Sequence, residues 1–360
     1  MISDKISILI AVHNEEKNIV SCLKSIENIN YKNLEIIIVD DGSSDSTANL
    51  IKEYKSDNLN INLFLLPKQG LSKSLNFGLL KCSSKYIARL DADDIIMPNR
   101  ISQQYIFLKN NPEYSLVGTR ALIKKGFLKY NSTNYNLNDD CKSELVFANC
   151  FYHPSVMFKK TDLIEVGGYN EEIKYGEDYD LWTRLAINKK VHNLNQTGII
   201  YNIHENQMSN KIPQTIKSND FIVMQKNYLN SIFFKDDPLS EIDLDIHYQI
   251  SMLSSKCENY FADQIKVNNA LNWIDNLIKK NKQLKFINQK SFIKIIKYYL
   301  FFIFVDASSL GYKYFKKFFN KMKFYELNFF SIIILFMLYL FKIKNQNFKK
   351  IIMIIYKRVR

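Results

Sequence analysis

Four short runs of aliphatic, largely β-branched residues occupy the N-terminal quarter of the chain: Ile6 to Val12, Leu34 to Val39, Ile61 to Leu66 and Tyr86 to Leu90. None is long enough for an ordinary helix, so each reads as a strand, Ile6 to Val12 and Leu34 to Val39 as buried ones. The segments between them have helical character. Asn14-Glu15-Glu16 offers a cap and an acidic first turn ahead of Ile19, Leu23 and Ile26 on one face. Asp40-Asp41-Gly42-Ser43-Ser44-Asp45-Ser46-Thr47 supplies a turn and a cap before a helix through Tyr54, and Leu71 to Leu80 forms another. Strands alternating with helices require right-handed crossovers, which predicts an α/β fold: a Rossmann-like, mainly parallel sheet flanked by helices.

Ligands of such sheets collect at the carboxyl ends of the strands. Strand one ends at His13-Asn14-Glu15, strand two at Asp40-Asp41, and strand four at Asp91-Ala92-Asp93-Asp94. Three carboxylates within four positions repel one another unless a cation lies between them. Hard ions such as Mn²⁺ or Mg²⁺ take oxygen ligands, and Mg²⁺ is usually shared between one or two carboxylates and the phosphates of a substrate. The pattern therefore points to a metal-bound diphosphate; its structural alternative is an acidic turn capping the next helix. The ten glycines permit neither G-x-G-x-x-G nor G-x-x-x-x-G-K-[ST], which argues against a dinucleotide fold and a P-loop.

With 47% hydrophobic and 24% charged residues over 360 positions, the chain can build a sizeable core. Five cysteines without C-x-x-C spacing suggest neither zinc nor disulfides, and the N-terminus lacks a secretory pattern, so a reduced, cytoplasmic setting is expected. The net charge of +13 is uneven: Lys279 to Arg360 carries 19 basic and two acidic residues, leaving −4 on the remainder. That asymmetry predicts an anionic partner for the C-terminal part alone.

Several motifs together carry a family resemblance. Ile8-Leu9-Ile10-Ala11-Val12-His13-Asn14-Glu15-Glu16, Glu35-Ile36-Ile37-Ile38-Val39-Asp40-Asp41-Gly42-Ser43-Ser44-Asp45 and Gly70-Leu71-Ser72-Lys73-Ser74-Leu75-Asn76-Phe77-Gly78 precede the acidic stretch. His153-Pro154-Ser155, Gly167-Gly168-Tyr169, Glu177-Asp178-Tyr179-Asp180-Leu181-Trp182 and Tyr201-Asn202-Ile203-His204 follow it. In this order, over about residues 4 to 210, they resemble glycosyltransferase family 2. The resemblance implies a GT-A fold and inverting transfer of a sugar from a nucleotide diphosphate, usually UDP, with a divalent metal. The family often has Pro and Tyr where Ala11 and His13 stand. By matching position, Asp40 would hold the base or ribose in a pocket lined by Ala11, His13 and Glu15. Asp91 would lie on the ribose side, and Asp93 would bind the metal directly or through water, with His204 completing its shell or, alternatively, serving as an ordinary hydrogen-bonded histidine. Lys73 would pair with nucleotide or phosphate, the alternative being a solvated lysine. Asp178 would be the general base, with Glu177 orienting it or touching the acceptor, the alternative being an acidic N-terminus on the helix Tyr179 to Ile187; Trp182 reads equally as core or as an acceptor platform.

Beyond about residue 210 the resemblance fades. The expected organisation is a catalytic domain over 1–210, a helical extension over 211–284 and a basic, apolar-rich tail over 285–360. In the tail, Lys313, Lys316, Lys317, Lys321 and Lys323 fall opposite aromatic residues on a helix, a membrane-surface pattern. Leu327 to Phe341 is apolar, but at about 1.5 Å per residue it falls short of a ~30 Å hydrocarbon core. Shallow or re-entrant insertion at the inner, anionic face of the cell membrane is the favoured expectation, aided by Lys342, Lys344, Lys349, Lys350, Lys357, Arg358 and Arg360, and the alternative is a packed core helix with a solvated charged face. No recognition motif for nucleic acid accompanies the charge. The acceptor is expected to be a saccharide or lipid-linked sugar in surface polysaccharide synthesis. The competing readings are a sugar nucleotidyltransferase and a non-enzymatic membrane-bound sugar-binding module.

Overall fold

The computed structural model describes residues 4–56, 58–132, 136–204, 207–253, 259–324, 327–341 and 343–359. Cys257, Lys342 and Arg360 fall outside them, and the other four cysteines are free thiols. Two compact units divide the chain, one of residues 1–141 and 149–221, the other of 142–148 and 222–360.

In the first unit the strands are β1 (Ile6–Val12), β2 (Leu34–Asp41), β3 (Ile61–Leu66), β4 (Tyr86–Arg89), β5 (Ile95–Ile96), β6 (Tyr114–Lys125), β7 (Leu128–Asn131), β8 (Met157–Lys159) and β9 (Lys190–Ile203). The helices are α1 (Ile19–Glu27), α2 (Thr47–Glu53), α3 (Leu71–Lys81), α4 (Arg100–Asn110), the start of α5 (Asn138–Leu145), α6 (Lys160–Glu165), α7 (Glu177–Asn188), α8 (Met208–Lys211) and the start of α9 (Gln214–Ile232). Strand order is β3-β2-β1-β4-β8-β6-β9-β5, with β7 paired to β6. The run β3-β2-β1-β4 is parallel, as the apolar runs predict. Past β4 the sheet is mixed: β8 is antiparallel to both β4 and β6, β9 is parallel to β6, and β5 is antiparallel to β9. That half departs from strand–helix alternation, because β8 is delivered by a short turn at His153–Ser155 instead of a crossover helix.

The α/β expectation therefore holds, with a curled sheet. Leu90 to Asp94 alone join β4, in the middle of the order, to β5 at its far end, and they do so through a turn in which Asp94 N–H donates to the Asp91 carbonyl at 3.3 Å. Five residues in a turn cannot span four strand spacings of about 4.8 Å across a flat sheet. Curling brings the acidic turn over the carboxyl ends of the parallel strands.

Helix α1 starts at Ile19, later than its acidic stretch suggested. Asn14 sits in the left-handed region (φ 57°), and residues 14–16 instead bond to the loop after β2. Gly78 on α3 has no room for a side chain: a Cβ there would lie 2.3 Å from Leu9 Cδ1 and 3.0 Å from Val39 Cγ2.

The second unit is helical: the remainder of α9, then α10 (Glu241–Met252), α11 (Gln264–Leu284), α12 (Gln289–Asp306), α13 (Tyr312–Phe324), α14 (Phe329–Leu340) and α15 (Gln346–Val359). Segments 222–284 and 285–360 belong to this one body, and the aromatic side of α13 faces inward, Phe315 against Phe336 and Tyr339, and Phe318 against Phe304. Lys349 corrects the expectation of a lipid-facing lysine. It is fully buried and donates to the Asn259 side chain at 2.8 Å and to the Asp306 carbonyl at 2.7 Å. Lys313, Lys316 and Lys344 are exposed. Helix α14 packs through Leu335, Leu338 and Tyr339 while Ile333, Met337 and Leu340 face outward. Among the described residues no helix is long and apolar enough to cross a membrane.

Replacing Gly78 with alanine sets about 1 kcal/mol of helix propensity against a core overlap that typically costs about 1–3 kcal/mol. Leu9 is fully buried and cannot swing away. The expected outcome is net destabilisation, read as a lower denaturant midpoint at unchanged slope.

Candidate functional site

The loops at the strand ends are tied together before any ligand arrives. Asn14 N–H donates to Ser43 Oγ (2.9 Å), Ser44 N–H to Asn14 Oδ1 (2.8 Å), Glu15 N–H to Thr47 Oγ1 (2.8 Å) and Ser46 N–H to the Glu16 carboxylate (3.0 Å). The Asp41 carboxylate accepts from Gln69 N–H, Gly70 N–H and Ser74 Oγ, the last at 2.8 Å, and so fixes the start of α3. Gly42 (φ +70°) completes the closure, since a Cβ there would meet Lys68 N at 2.7 Å.

In this frame Asp40 is only 2% exposed. Its Oδ1 accepts from Ser43 N–H at 2.7 Å, while Oδ2 is buried with no partner among the described residues. A buried carboxylate oxygen left unpaired is costly, and a donor group of a ligand is one way to satisfy it. Val12 is the register partner of Asp40 and shares its face, whereas Ala11 pairs with Val39 on the other face, and His13 follows at the end of β1. His13 Nε2 is 2.7 Å from Lys68 Nζ. Lys68 is thus a cation at this pocket that no sequence pattern indicated. Lys73 is exposed on the first turn of α3.

The acidic turn follows. One ligand atom each from Asp91, Asp93 and Asp94 lies within 4.8 Å of the others. The end of β9 holds the turn: Asn202 N–H donates to Asp94 Oδ1 (3.0 Å), its side-chain amide to the Asp93 carbonyl (2.6 Å), and His204 Nε2 lies 2.8 Å from Asp93 Oδ2. Burial and then the charge of Asp91 push the carboxyls of Asp93 and Asp94 above their ordinary range. Burial likewise raises Glu15, with further contributions from Asp93 and Asp91, which places Glu15 beside this cluster. Asp94 Oδ2 is buried and unpartnered among the described residues. Hard oxygen donors, crowded like charge and an orphaned carboxylate oxygen fit a divalent cation held by Asp91, Asp93 and Asp94, with His204 adjacent.

Two arginines lie under the cluster. Arg89, fully buried, pairs with Asp91. Arg100, also buried, donates to Gln104 Oε1 and to the carbonyls of Arg89, Pro154 and Val156 at 2.7–3.0 Å. Burial pulls its pKa down to about 9, so it stays cationic at neutral pH.

Helix α7 begins with Glu177 and Asp178 behind Gly176, which takes a left-handed φ of 83°. Asp178 Oδ2 accepts from the Asn149 amide at 2.7 Å and Oδ1 from Tyr179 N–H at 2.7 Å. Glu177 Oε1 is 3.7 Å from His153 Nδ1, and His153 Nε2 is 2.9 Å from the Tyr169 hydroxyl. Desolvation raises both acids, Glu177 to about 7 and Asp178 to about 6. The charge of Asp91 contributes to both shifts, so the acidic turn and this pair share one electrostatic neighbourhood. Trp182 is fully buried against Phe151, His153 and Phe158, which makes it core.

Asp94, visible as the third acid, and Arg89, a lone cation in an apolar run, could have been singled out from sequence. Lys68, Asn149 and Arg100 reach the site only through folding.

The sequence model of Glycosyl transferase family 2 matches residues 7–163. The O-antigen biosynthesis glycosyltransferase WbnJ of Escherichia coli is 34% identical over 209 residues, 56% of this chain and 81% of that protein. The Escherichia coli UDP-Gal:alpha-D-GlcNAc-diphosphoundecaprenol beta-1,3-galactosyltransferase is 32% identical over 202 residues, 51% and 68% of the two chains. Among solved structures, S. aureus TarS 1–349 in complex with UDP-GlcNAc superposes with a TM-score of 0.56 at 17% identity, covering 88% of this chain and 92% of that one. That likeness supports the fold, which is GT-A.

Because its folded pKa lies above the unfolded value, ionised Asp94 withdraws stability as pH rises through the folded pKa. In chelator, Asp94→Asn should therefore raise Tm at pH 8, and the gain should shrink toward pH 5. A variant less stable than the parent at pH 8 would show that the carboxylate is not under strain.

Proposed function

The chain belongs to glycosyltransferase family 2, and from that membership we propose that it moves a sugar, with inversion, from a nucleotide diphosphate to a hydroxyl of a saccharide or lipid-linked acceptor in surface polysaccharide synthesis. The observation that carries this reading is the convergence at one sheet edge of the half-satisfied Asp40, the acidic turn and the raised Glu177–Asp178 pair. UDP is the nucleotide we favour. Two solved TarS structures hold UDP-GlcNAc or UDP, and the galactosyltransferase relative is named for a UDP-sugar and a diphosphoundecaprenol-linked acceptor.

In this mechanism Asp40, through its unpaired oxygen, accepts from the base or ribose, with Ala11, His13 and Glu15 lining the pocket. Lys68 and Lys73 supply positive charge toward the nucleotide. Mn²⁺ or Mg²⁺ held by Asp91, Asp93 and Asp94, with His204, would neutralise charge building on the leaving diphosphate. The acceptor oxygen attacks the anomeric carbon from the face opposite the diphosphate. As that C–O bond forms and the sugar–phosphate bond breaks, the hydroxyl proton passes to Asp178. Asn149 and Tyr179 N–H each occupy one lone pair of the Asp178 carboxylate, leaving others for the proton. Glu177, held near His153, faces the acceptor side.

Membrane attachment belongs to the same proposal. The outward side of α14, Ile333, Met337 and Leu340, with exposed Lys313, Lys316 and Lys344 on the same unit, suits the cytoplasmic, anionic face of the cell membrane.

Asp178→Asn should lower kcat by about 10²- to 10⁴-fold while stabilisation by a nucleotide sugar in a thermal-shift screen, run with and without Mn²⁺, is retained. In the parent enzyme, kcat should fall as pH drops through about 6, where the base becomes protonated. Near-normal turnover of the variant would remove Asp178 from the mechanism, and a protein that no nucleotide sugar stabilises would remove the donor reading.

A further inference from the structure

The hairpin of β6 and β7 stands out in the catalytic unit as a fully exposed tip that none of the chemistry above uses. Its two-residue loop is Gly126-Phe127, with Gly126 at φ +57° and Lys125 paired to Leu128, which suits a loop of the II′ kind with glycine first. Phe127 is 106% exposed and Leu128 67%. Lys124, Lys125 and Lys129 flank them, all exposed.

Lysines on an edge hairpin are ordinarily explained as protection against pairing with other strands. Two observations go against that explanation here. A phenylalanine placed at the apex with its whole side chain in water undoes the protection. In addition, Lys124 is the direct register partner of Lys129, so two like charges face each other across the ladder on one face, an arrangement that destabilises a hairpin unless an anion lies beside it. Neither lysine forms an ion pair with a described residue.

The position of the tip gives it meaning. In the parallel β6–β9 ladder Lys124 is the partner of Asn202 and Lys125 of Ile203. Asn202 is the residue that holds Asp93 and Asp94, and His204 follows at 2.8 Å from Asp93. The hairpin apex thus projects from the same sheet edge that carries the acidic turn, one strand away from the residue that fixes it.

We infer that the Phe127-Leu128 tip is a membrane-docking wedge: the two apolar side chains enter the acyl boundary of an anionic bilayer while Lys124, Lys125 and Lys129 meet phospholipid headgroups. Apolar burial beside a basic collar is the combination by which peripheral elements bind such surfaces, each lysine contributing about fivefold in affinity. Docked there, the catalytic edge is held at the bilayer surface, where an acceptor hydroxyl attached to a lipid would be presented. The inference rests on the reading of the acceptor as lipid-linked.

The test uses the full chain with Phe127→Trp as reporter, because the two native tryptophans, Trp182 and Trp273, are buried and give a constant background. Vesicles of phosphatidylglycerol and phosphatidylcholine should shift the emission of the introduced indole to the blue and make it quenchable by brominated acyl chains. Pure phosphatidylcholine should give a much smaller effect. Adding Lys124→Glu and Lys129→Glu should weaken the titration at least ~25-fold, about fivefold per lysine removed. Emission that stays water-like while the protein sediments with the anionic vesicles would overturn the wedge, as would an unchanged titration in the charge-reversed variant or failure to sediment at all. Stabilisation by a nucleotide sugar, measured on the same variants, reports folding and the donor site separately. Its retention alongside a silent reporter condemns the hairpin alone, whereas its absence in the parent chain condemns the transferase reading whatever the reporter does.

Discussion

Everything at the site edge depends on a turn of like charges being held shut. Asp91, Asp93 and Asp94 crowd within 4.8 Å, and burial removes the water that would screen them. The fold compensates from two directions. From below, Arg89 pairs with Asp91, and Arg100 places a second buried cation near Asp94 with its donors committed to carbonyls and Gln104. From the side, Asn202 and His204 at the end of β9 bond to Asp93 and Asp94. The same turn joins β4 to β5 across the sheet order, so the contacts that restrain the charges also curl the sheet. One set of bonds thus restrains both the charges and the topology and leaves the acids close together but not fully neutralised, a deficit that the proposed cation would relieve.

The Asp40 side is built on the opposite principle, with its acids satisfied in advance and two buried atoms, Asp40 Oδ2 and His13 Nδ1, left without a partner among the described residues. Asp41, Asp45, Asn14 and Glu16 commit their oxygens to loop N–H groups and hydroxyls. Those bonds hold two loops rigid, and Asp40 alone among these acids keeps a buried oxygen without a partner among the described residues. Two adjacent aspartates in one sequence pair thus divide the labour, Asp41 as a structural anchor and Asp40 as a group with capacity left for a ligand.

How much of this the sequence disclosed follows from the range of the interactions. Strand ends are local, so the placement of Asp40 and of Asp91 to Asp94 at a sheet edge was legible from apolar runs that stop at acids. The pairing of Asp93 with His204 joins positions more than a hundred residues apart and came only through the order of motifs in the family resemblance. Lys68 and Asn149 were invisible, because a lysine or asparagine in a loop has no periodicity to mark it. The mixed half of the sheet was also hidden: β8 has three residues and β5 two, too short to show any pattern. In the tail the amphipathic spacing was real but its direction ambiguous. Charge alone could not show that Lys349 turns inward to Asp306, or that the aromatic side of α13 faces protein.

The strength of the proposed base follows from a contest between two effects on the same residue. At the first turn of α7 the macrodipole and two N–H and amide donors favour an ionised Asp178, the dipole by about 0.3–1 kcal/mol. Burial and the nearby charge of Asp91 oppose them, and because the pKa is raised to about 6, desolvation wins. Neither extreme would serve. A carboxylate left in water, with an ordinary pKa near ~4, is ionised but a weak proton acceptor; one buried without donors would hold its proton at neutral pH and accept none. The helix terminus therefore limits how far burial can push Asp178, and the result is a group still ionised at neutral pH yet basic enough to take a proton from an attacking hydroxyl.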